Sequence, residues 1–213
     1  MGITRDAWPV LGPILFLALV SVQFTALIGG WWWAASIPLA ILSLFSLWFF
    51  RDPQRLIPDG EEVITAPGDG KVLEIVPIKH DEFIGGEAKR VSIFLSVFNV
   101  HVNRVPASGL VREVKRFPGK FLIAYDPRAT EENNRLRIDI DSKRGRLRCV
   151  QVTGAIARRI VCHLQAGQRI ERGDRYGMIR FGSRMDLIIP ANAAVKIKQG
   201  EVVHGGETVI ATW

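Results

Sequence analysis

Hydrophobic and charged positions divide the chain into two parts of different character. Residues 7–50 contain no Asp, Glu, Lys or Arg, whereas charged residues recur throughout residues 51–213. Two apolar runs fill the first part, Pro9 to Ile28 and Trp31 to Phe50, each 20 residues long and separated by Gly29-Gly30. A helix of that length spans about 30 Å, which matches the hydrocarbon core of a bilayer. The pattern predicts a helical hairpin that makes residues 1–50 a membrane anchor.

Aromatic and positive residues flank the two runs as they do in membrane proteins. Five of the six tryptophans lie near the ends of the runs, where an interfacial aromatic belt forms: Trp8, Trp31, Trp32, Trp33 and Trp48. Arg5 precedes the first run, Arg51 and Arg55 follow the second, and the Gly-Gly turn carries no charge. By the positive-inside rule, both ends of the hairpin face the cytoplasm. We therefore expect a location in the cell (inner) membrane, with the second part on the cytoplasmic side.

The alternative interpretation is a cleaved signal peptide followed by a buried helix. The first apolar run is longer than a typical signal-peptide core, and no small-residue cleavage site follows it. The membrane hairpin is the favoured interpretation.

From Val63 onward the pattern changes to short β-like runs separated by Gly and Pro, with only a short helix predicted, near Ala129 to Asn134. Arg135 to Asp141 alternates strictly, and Lys143-Arg144-Gly145 turns it into a second alternating run. We expect residues 51–213 to form one mainly β domain, a barrel or sandwich. The predicted strands are Val72–Ile78, Val91–Val97, Gly109–Val114, Leu136–Ile140, Leu147–Val152, Arg159–His163, Tyr176–Phe181, Leu187–Ile189, Ala194–Lys198 and Thr208–Ala211.

A weak internal repeat specifies the architecture further. Gly167 to Asp174 recurs 33 residues later as Gly200 to Glu207, each with the form Gly-x-x-(Ile/Val)-x-x-Gly-(Asp/Glu). Together with the turn from Ala66 to Val72, these segments resemble the turns of barrel-sandwich folds of the lipoyl and biotinyl type. The modifiable hairpin lysine of those carriers has no counterpart in the chain. The repeat therefore predicts the barrel-sandwich architecture without the carrier function.

The charge balance indicates which class of partner the chain is expected to bind. Arg5 and Asp6 cancel, so the whole net charge of +7 belongs to residues 51–213. A basic domain tethered to a bilayer favours an anionic lipid surface, where each nearby Lys or Arg contributes about 1 kcal/mol. Nucleic acid is not expected as a partner, because the chain has no aromatic-rich basic motif or zinc-finger spacing.

Two cysteines, Cys149 and Cys162, lie in apolar strand-like surroundings and lack the spacing of a metal site or a redox pair. They are interpreted as buried reduced thiols, which fits a cytoplasmic domain. We expect no metal.

Candidate chemistry begins with Gly182-Ser183, a pair set between two strand-like runs. A serine hydroxyl can attack the carbonyl that precedes it, and glycine there leaves the approach unobstructed. The same dipeptide is also an ordinary turn pair. Such a serine needs a base, usually a histidine oriented by a carboxylate. His101 and His163 are both candidates, and Asp69 in its Pro-Gly-Asp-Gly segment is on local grounds a turn residue.

Taken together, the motifs resemble the phosphatidylserine decarboxylase family in its short bacterial and archaeal form. The resemblance runs from Phe49-Phe50-Arg51-Asp52-Pro53 to the end of the chain. It includes the blocks Ala66–Val72, Leu95–Pro106, Glu131-Glu132-Asn133 and Gly177–Arg184. Phe181 and Arg184 flank the Gly-Ser pair where long family members have Leu and Thr, and Arg104 replaces their second histidine.

The resemblance implies autocatalytic maturation. Cleavage between Gly182 and Ser183 would leave residues 51–182 as the domain part of the large chain and residues 183–213 as the small chain. Ser183 would become a covalent pyruvoyl group, the only cofactor, with His101 and Asp69 as assisting residues. The two chains would stay associated, and whether the protein also forms a homo-oligomer is left open by the sequence.

The implied activity is conversion of phosphatidylserine to phosphatidylethanolamine and CO2 through a Schiff base with the pyruvoyl group. The segment from Phe117 to Tyr125 is a candidate membrane loop, with Lys120 and Phe121 as substrate-binding residues and Lys120 offered to a phosphate. A solvated loop is the alternative.

Three rival functions stay open at this stage. A membrane-anchored barrel-sandwich adaptor would explain the anchor and the turns, although not the coincidence of Gly182-Ser183, His101 and Asp69. A pyruvoyl decarboxylase of a soluble amino acid would not need the apolar hairpin. A pyruvoyl decarboxylase of another serine lipid, archaetidylserine, would need it equally.

Overall fold

The computed structural model of the chain describes residues 2–123, 125–155, 158–180 and 183–213. It divides into two compact units, residues 1–54 and residues 55–213. The division falls in the short polar segment that follows the apolar part of the sequence.

The first unit is a helical hairpin. Helix α1 spans Trp8–Ile28 and helix α2 spans Trp33–Phe49, and single 3-10 turns precede them at Arg5–Ala7 and Gly30–Trp32. Gly29 and Gly30 have φ values of 70° and 69°, a left-handed backbone that ends α1 and that residues with a Cβ rarely adopt. With their 3-10 turns the helices have 24 and 20 residues and mean hydropathies of 2.1 and 1.6, enough by length and composition to cross a membrane.

Small polar side chains join the two helices. The Thr25 and Ser36 hydroxyls are 2.7 Å apart and buried, a device by which apolar helices associate without a hydrophobic driving force between them. At the open end of the hairpin, β1 (Gly2–Ile3) pairs with β2 (Arg51–Asp52). The two ends of the hairpin are thereby tied together on the same side.

The second unit is almost entirely antiparallel β structure. Eight strands form one curled sheet in the order β11-β7-β8-β9-β13-β5-β4-β15, and two three-stranded sheets have the orders β10-β12-β6 and β14-β16-β3. One short helix, α3, spans Ala129–Glu132. The strands are β3 (Val63–Thr65), β4 (Gly70–Asp81), β5 (Gly86–Leu95), β6 (Val102–Arg104), β7 (Gly109–Phe117), β8 (Arg135–Ser142), β9 (Gly145–Val152), β10 (Arg159–Cys162), β11 (Arg169–Ile170), β12 (Arg175–Arg180), β13 (Ser183–Pro190), β14 (Ala194–Val195), β15 (Val202–Val203) and β16 (Val209–Thr212).

Strand β13 lies in the interior of the large sheet, between β9 and β5. Its side chains alternate, so Met185, Leu187 and Ile189 join the apolar core, whereas Arg184 and Asp186 form an ion pair on the opposite face. Strand β13 is therefore hydrogen-bonded along both edges and packed on its apolar face, so the surrounding β unit fixes its position.

The repeat in the sequence is a structural repeat. Gly167 and Gly200 have φ values of 85° and 86°, and Gly173 and Gly206 have φ values of 88° and 80°. The two turns form hydrogen bonds with two further segments, 66–72 and 105–111, which are equivalent to each other. Gly206 donates to the Ala66 carbonyl at 2.9 Å as Gly173 donates to that of Val105 at 2.8 Å. Gly200 and Gly167 likewise donate to the carbonyls of Val72 and Val111, both at 2.8 Å.

The two segments also bond to each other reciprocally. Thr65 donates its N–H to the Pro106 carbonyl and Arg104 donates to that of Pro67, both at 2.9 Å. This approximate twofold symmetry is what the repeated turns predict for a barrel-sandwich. The expectations of a mainly β domain and an N-terminal hairpin of two apolar helices are confirmed.

Candidate active site

Ser183 is the first residue of β13 and is completely buried. It lies opposite Leu95, the last residue of β5, and shares the inner face of the sheet with Met185. Its Oγ has no hydrogen-bond partner among the described residues. A buried hydroxyl without a partner costs about 1–3 kcal/mol, and a catalytic role is one of the explanations for such a group. The other half of the predicted cleavage pair, Gly182, lies outside the described residues, as does Phe181.

His101 lies on the segment that follows this end of β5. Leu95 pairs with Ser183, and Val102 pairs with Met178, so His101 lies on the connection between β5 and β6, whose partner strands are β13 and β12. His101 directly precedes Val102 and is 1% exposed. The pairings therefore place His101 on the connection that leaves β5 after Leu95, the residue opposite Ser183.

Asp69 approaches the same end of β5 from the other edge. Strand β4 begins at Gly70, and its Lys71 lies opposite Phe94. The turn before β4 and the start of β13 therefore flank Leu95 on its two sides. Because neighbouring strands are about 4.8 Å apart, the backbones of Asp69 and Ser183 are separated by about 10 Å. The structure thus brings Asp69, His101 and Ser183 to one end of β5.

Asp69 is 6% exposed and contacts three groups outside its own turn. Its Oδ2 accepts from Arg55 Nη2 at 2.6 Å and lies 3.4 Å from His204 Nδ1, and its Oδ1 accepts from the Gly205 backbone N–H at 2.8 Å. Arg55 also donates Nη1 to Glu207 Oε2 at 2.8 Å. The histidine in contact with Asp69 through these bonds is His204, which the sequence analysis did not select.

Arg55 forms ion pairs with both Asp69 and Glu207. Burial opposes the charge of Arg55, but Asp69 and Glu207 outweigh it and raise the pKa of the guanidinium above its usual value. Burial likewise opposes the charge of Glu207, while hydrogen bonds from the Leu56 N–H and from Arg55 lower the pKa of this carboxyl. Both shifts favour the charged forms of Arg55 and Glu207.

Two buried amides lie next to the candidate serine. Gln151 is opposite Met185 on β9, so its side chain is a diagonal neighbour of Ser183 on the inner face. Its Nε2 donates to Asn103 Oδ1 at 2.8 Å, and both amides are fully buried. A Cβ built on Gly68 would lie 3.2 Å from Asn103 Nδ2, so only glycine fits there without displacing the amide. Sequence reasoning missed this pair, although Asn103 lies two residues after His101.

Lys120 and Phe121 lie on the loop that follows β7. Lys120 Nζ is paired with Glu132 Oε2 at 2.8 Å on the surface, and the Arg158 guanidinium lies 5.5 Å from the Phe121 ring centroid. Buried Asn133 fixes the loop by accepting from the Leu122 N–H and donating to the Leu122 carbonyl.

The same loop reaches the end of β5 through an aromatic contact. The Tyr125 ring centroid lies 4.4 Å from that of Phe94, the residue before Leu95. The loop therefore lies at the same end of the sheet as Ser183, although neither Lys120 nor Phe121 makes a hydrogen bond, ion pair or ring contact to that serine.

Cys149 is buried, Cys162 is partly buried, and both are free thiols. Burial raises the pKa of each thiol. Within the described ranges no three His, Cys, Asp or Glu side chains are grouped to hold a metal ion.

Comparison with known proteins assigns the chain to a family. A sequence profile described as phosphatidylserine decarboxylase matches residues 42–211. A Chlorobium limicola protein named phosphatidylserine decarboxylase proenzyme is 49% identical over 170 residues, covering 80% of this chain and 80% of that protein. A Nitrosomonas eutropha protein of the same name is 43% identical over 210 residues, covering 98% and 94% of the two chains. The chain belongs to the phosphatidylserine decarboxylase family, as the sequence motifs indicated.

Proposed function

We propose that this chain is the proenzyme of a membrane-bound decarboxylase that converts phosphatidylserine to phosphatidylethanolamine and CO2. The observation that carries the proposal is family membership over nearly the whole chain, with relatives named as proenzymes. The proposal assigns the site to Ser183, His101 and Asp69, and their burial near one end of β5 supports this assignment. An adaptor without catalysis is not favoured, because it leaves this arrangement unexplained.

Maturation begins with an acyl shift at the Gly182–Ser183 bond. The Ser183 Oγ attacks the Gly182 carbonyl carbon, the amide C–N bond breaks, and an ester and a free amine result. Removal of the Ser183 Hα then expels the Gly182 carboxylate and leaves a dehydroalanine. This residue tautomerises to an imine, which takes up water and releases ammonia, so the small chain ends in a pyruvoyl group. The shielded position of Ser183 keeps water from the ester until elimination has occurred.

His101 is the proposed base for the Ser183 hydroxyl, with Asp69 fixing the histidine's tautomer and orientation. His101 is buried on the connection between β5 and β6, which supports that role.

A pyruvoyl group at Ser183 would supply a ketone that condenses with the substrate amine and accepts the electrons released with CO2. The site suits such a group, because the position is buried beside Leu95 and Met185 and the Ser183 Oγ has no partner among the described residues. His101 is the proposed donor of the proton that replaces the lost carboxylate.

The lipid reaches this site at a membrane surface. The hairpin of α1 and α2 is the proposed anchor, with both of its ends and the β unit on the cytoplasmic side. The loop after β7 exposes Phe121, Ile123 and Tyr125, a set suited to the interfacial region of a bilayer. Lys120 would exchange its Glu132 partner for a lipid phosphate.

A test of the function uses vesicles that contain phosphatidylserine labelled at the carboxyl carbon. The purified full chain in detergent or nanodiscs should release labelled CO2 and form phosphatidylethanolamine. A protein that processes itself but decarboxylates only a soluble amino acid, or only archaetidylserine, would contradict the proposed substrate. A protein that stays intact and inactive would contradict the proposal as a whole.

A further inference from the structure

Asp69 has a structural counterpart in the second half of the repeat. In the segments 66–72 and 105–111, Ser108 occupies the position equivalent to Asp69. Asp69 Oδ1 accepts from the Gly205 backbone N–H at 2.8 Å, and Ser108 Oγ accepts from the equivalent Arg172 N–H at 3.0 Å. The same hydrogen bond therefore closes both turns.

The comparison separates what the fold requires at this position from what it does not. A neutral hydroxyl is sufficient to bind the backbone N–H in the turn of Ser108. Asp69 makes that bond with one oxygen and carries in addition a charge and a second oxygen. A buried carboxylate is costly unless it is paired. The charge of Asp69 therefore needs a partner of opposite charge. Because the fold of the turn does not require this charge, we expect the charge to serve a function.

Arg55 is that partner. Its side chain is 9% exposed and that of Asp69 is 8% exposed, and the guanidinium divides its donors between Asp69 and Glu207. The Leu56 backbone N–H donates to the other oxygen of Glu207 at 3.0 Å. Ile57 packs against both Gly173 and Gly206, the glycines that end the two repeated turns. The segment that carries Arg55 is thus fixed across the approximate twofold axis.

We propose that Arg55 is a positioning residue for self-processing, acting through Asp69 while Glu207 holds the other half of its guanidinium. This inference rests on the proposed function. It adds Arg55 as the residue whose positive charge supports the Asp69 carboxylate during self-processing. The groups facing the Asp69 carboxylate in these contacts are Arg55, His204 and the Gly205 N–H.

The hydrogen-bond geometry explains how Arg55 would act. A carboxylate offers about four acceptor positions, and these contacts occupy three of them. Arg55 and the Gly205 N–H bind different oxygens, which fixes the rotation of the carboxylate about its Cβ–Cγ bond. A fixed rotation also fixes the direction of the remaining acceptor position, which in this proposal receives the imidazole of His101. Without Arg55, the carboxylate keeps its turn bond but loses this constraint.

The experiment measures the rate of self-cleavage in the full chain, made in a pulse of cell-free synthesis with nanodiscs and followed by denaturing electrophoresis. Arg55→Gln should slow cleavage roughly 10- to 100-fold, the effect of losing a hydrogen bond to a charged group. Arg55→Lys should recover part of the rate. Asp69→Ser, which copies the turn of Ser108, should fold but cleave slower still. Arg112→Gln, which removes an arginine from the exposed pair with Asp141, is the matched control and should cleave normally.

Two further measurements separate positioning from a general loss of structure. Guanidinium ion at millimolar concentration should partly restore cleavage in Arg55→Ala, whereas urea, which is similar in shape and uncharged, should not. Adding Arg55→Gln to Asp69→Ser should cause little further slowing, because Arg55 acts through the group already removed. If Arg55→Gln slowed self-cleavage by the same factor in the wild-type chain and in Asp69→Ser, the proposal would be overturned.

The outcome for the wild-type chain distinguishes the two hypotheses. Wild-type cleavage together with a normal rate in Arg55→Gln would overturn the role of Arg55 and leave the proposed function standing. Absence of cleavage in the wild-type chain would overturn the proposed function itself. Unfolding of the Arg55 variants is checked by their thermal melting in a Ser183→Ala background, where cleavage cannot contribute. Loss of cleavage that coincides with loss of the folded state would count against a positioning role.

Discussion

Ser183 and Leu95 face each other at the point where one strand begins and its neighbour ends. The proposed cleavage would therefore open the chain at a strand boundary and leave β13 intact between β9 and β5. The N-terminus of the small chain would remain buried without any rearrangement of the sheet.

The first prediction follows from this placement. Residues 183–213 include β13 to β16, and the core residues of β13 are completely buried. The two chains should therefore stay together after cleavage and co-elute on size exclusion in mild detergent, separating only in denaturant. Release of the small chain under native conditions would contradict this placement.

The second prediction concerns His101 and Asp69. His101→Ala should slow maturation by roughly 10²–10⁴-fold, the usual cost of losing a general base. Asp69→Asn should also be defective while remaining folded, since the change is nearly isosteric. The measurement is the rate of appearance of the two chains after synthesis.

A separate assay tests the second role of His101. The slowly matured fraction of His101→Ala, normalised to its pyruvoyl content, should turn over poorly if His101 also donates the final proton. Normal turnover per pyruvoyl would confine His101 to maturation. Rapid cleavage in both variants would remove the proposed triad and make His163 the next residue to test.

The third prediction is the membrane topology. Reporter fusions at Gly29-Gly30 and after Trp213 should report opposite sides of the membrane, with the C-terminus in the cytoplasm. The physical reason is that Arg5 and Arg51 lie at the two ends of the hairpin, which β1 and β2 tie together. Both reporters on one side would contradict a spanning hairpin.

The fourth prediction uses the thiols. Burial, and then the charge of Asp139, raises the pKa of Cys149, so this thiol should stay protonated and unlabelled by alkylating reagents at pH 8 until the protein unfolds. Because the folded-state pKa lies above the unfolded value of about 8.5, this group stabilises the fold below that pH. Its contribution to the free energy of unfolding should decline as the pH rises further. Rapid labelling of the native protein would contradict the buried position.

Much of the fold was predictable because local patterns determine it. Hydropathy and Gly29-Gly30 define the hairpin, and alternation with turn residues locates most strands, including the β8–β9 hairpin with Ser142 opposite Gly145. The strands that were missed, such as β6, β11 and β15, have only two or three residues. Runs that short carry no detectable periodicity.

The site was predictable only in part. Gly182-Ser183, Asp69 and His101 came from motifs that resemble a family, and their roles stay predictions. The ion pairs of Arg55 depend on tertiary structure, since Arg55 and Glu207 lie 152 positions apart in the sequence. One signal was available: Val105-Pro-Ala-Ser-Gly-Leu-Val111 repeats the form of Ala66-Pro-Gly-Asp-Gly-Lys-Val72. Comparing them singles out Asp69 as the charged member of the pair.

The intact mass of the purified protein tests the central claim most directly. The account predicts two chains, residues 1–182 and residues 183–213, with the small chain blocked to N-terminal sequencing and carrying the mass of a pyruvoyl group in place of Ser183. Ser183→Ala should yield a single uncut chain without decarboxylase activity, because both the nucleophile and the pyruvoyl precursor are lost. A homogeneous chain of 213 residues that still decarboxylates phosphatidylserine would contradict the account.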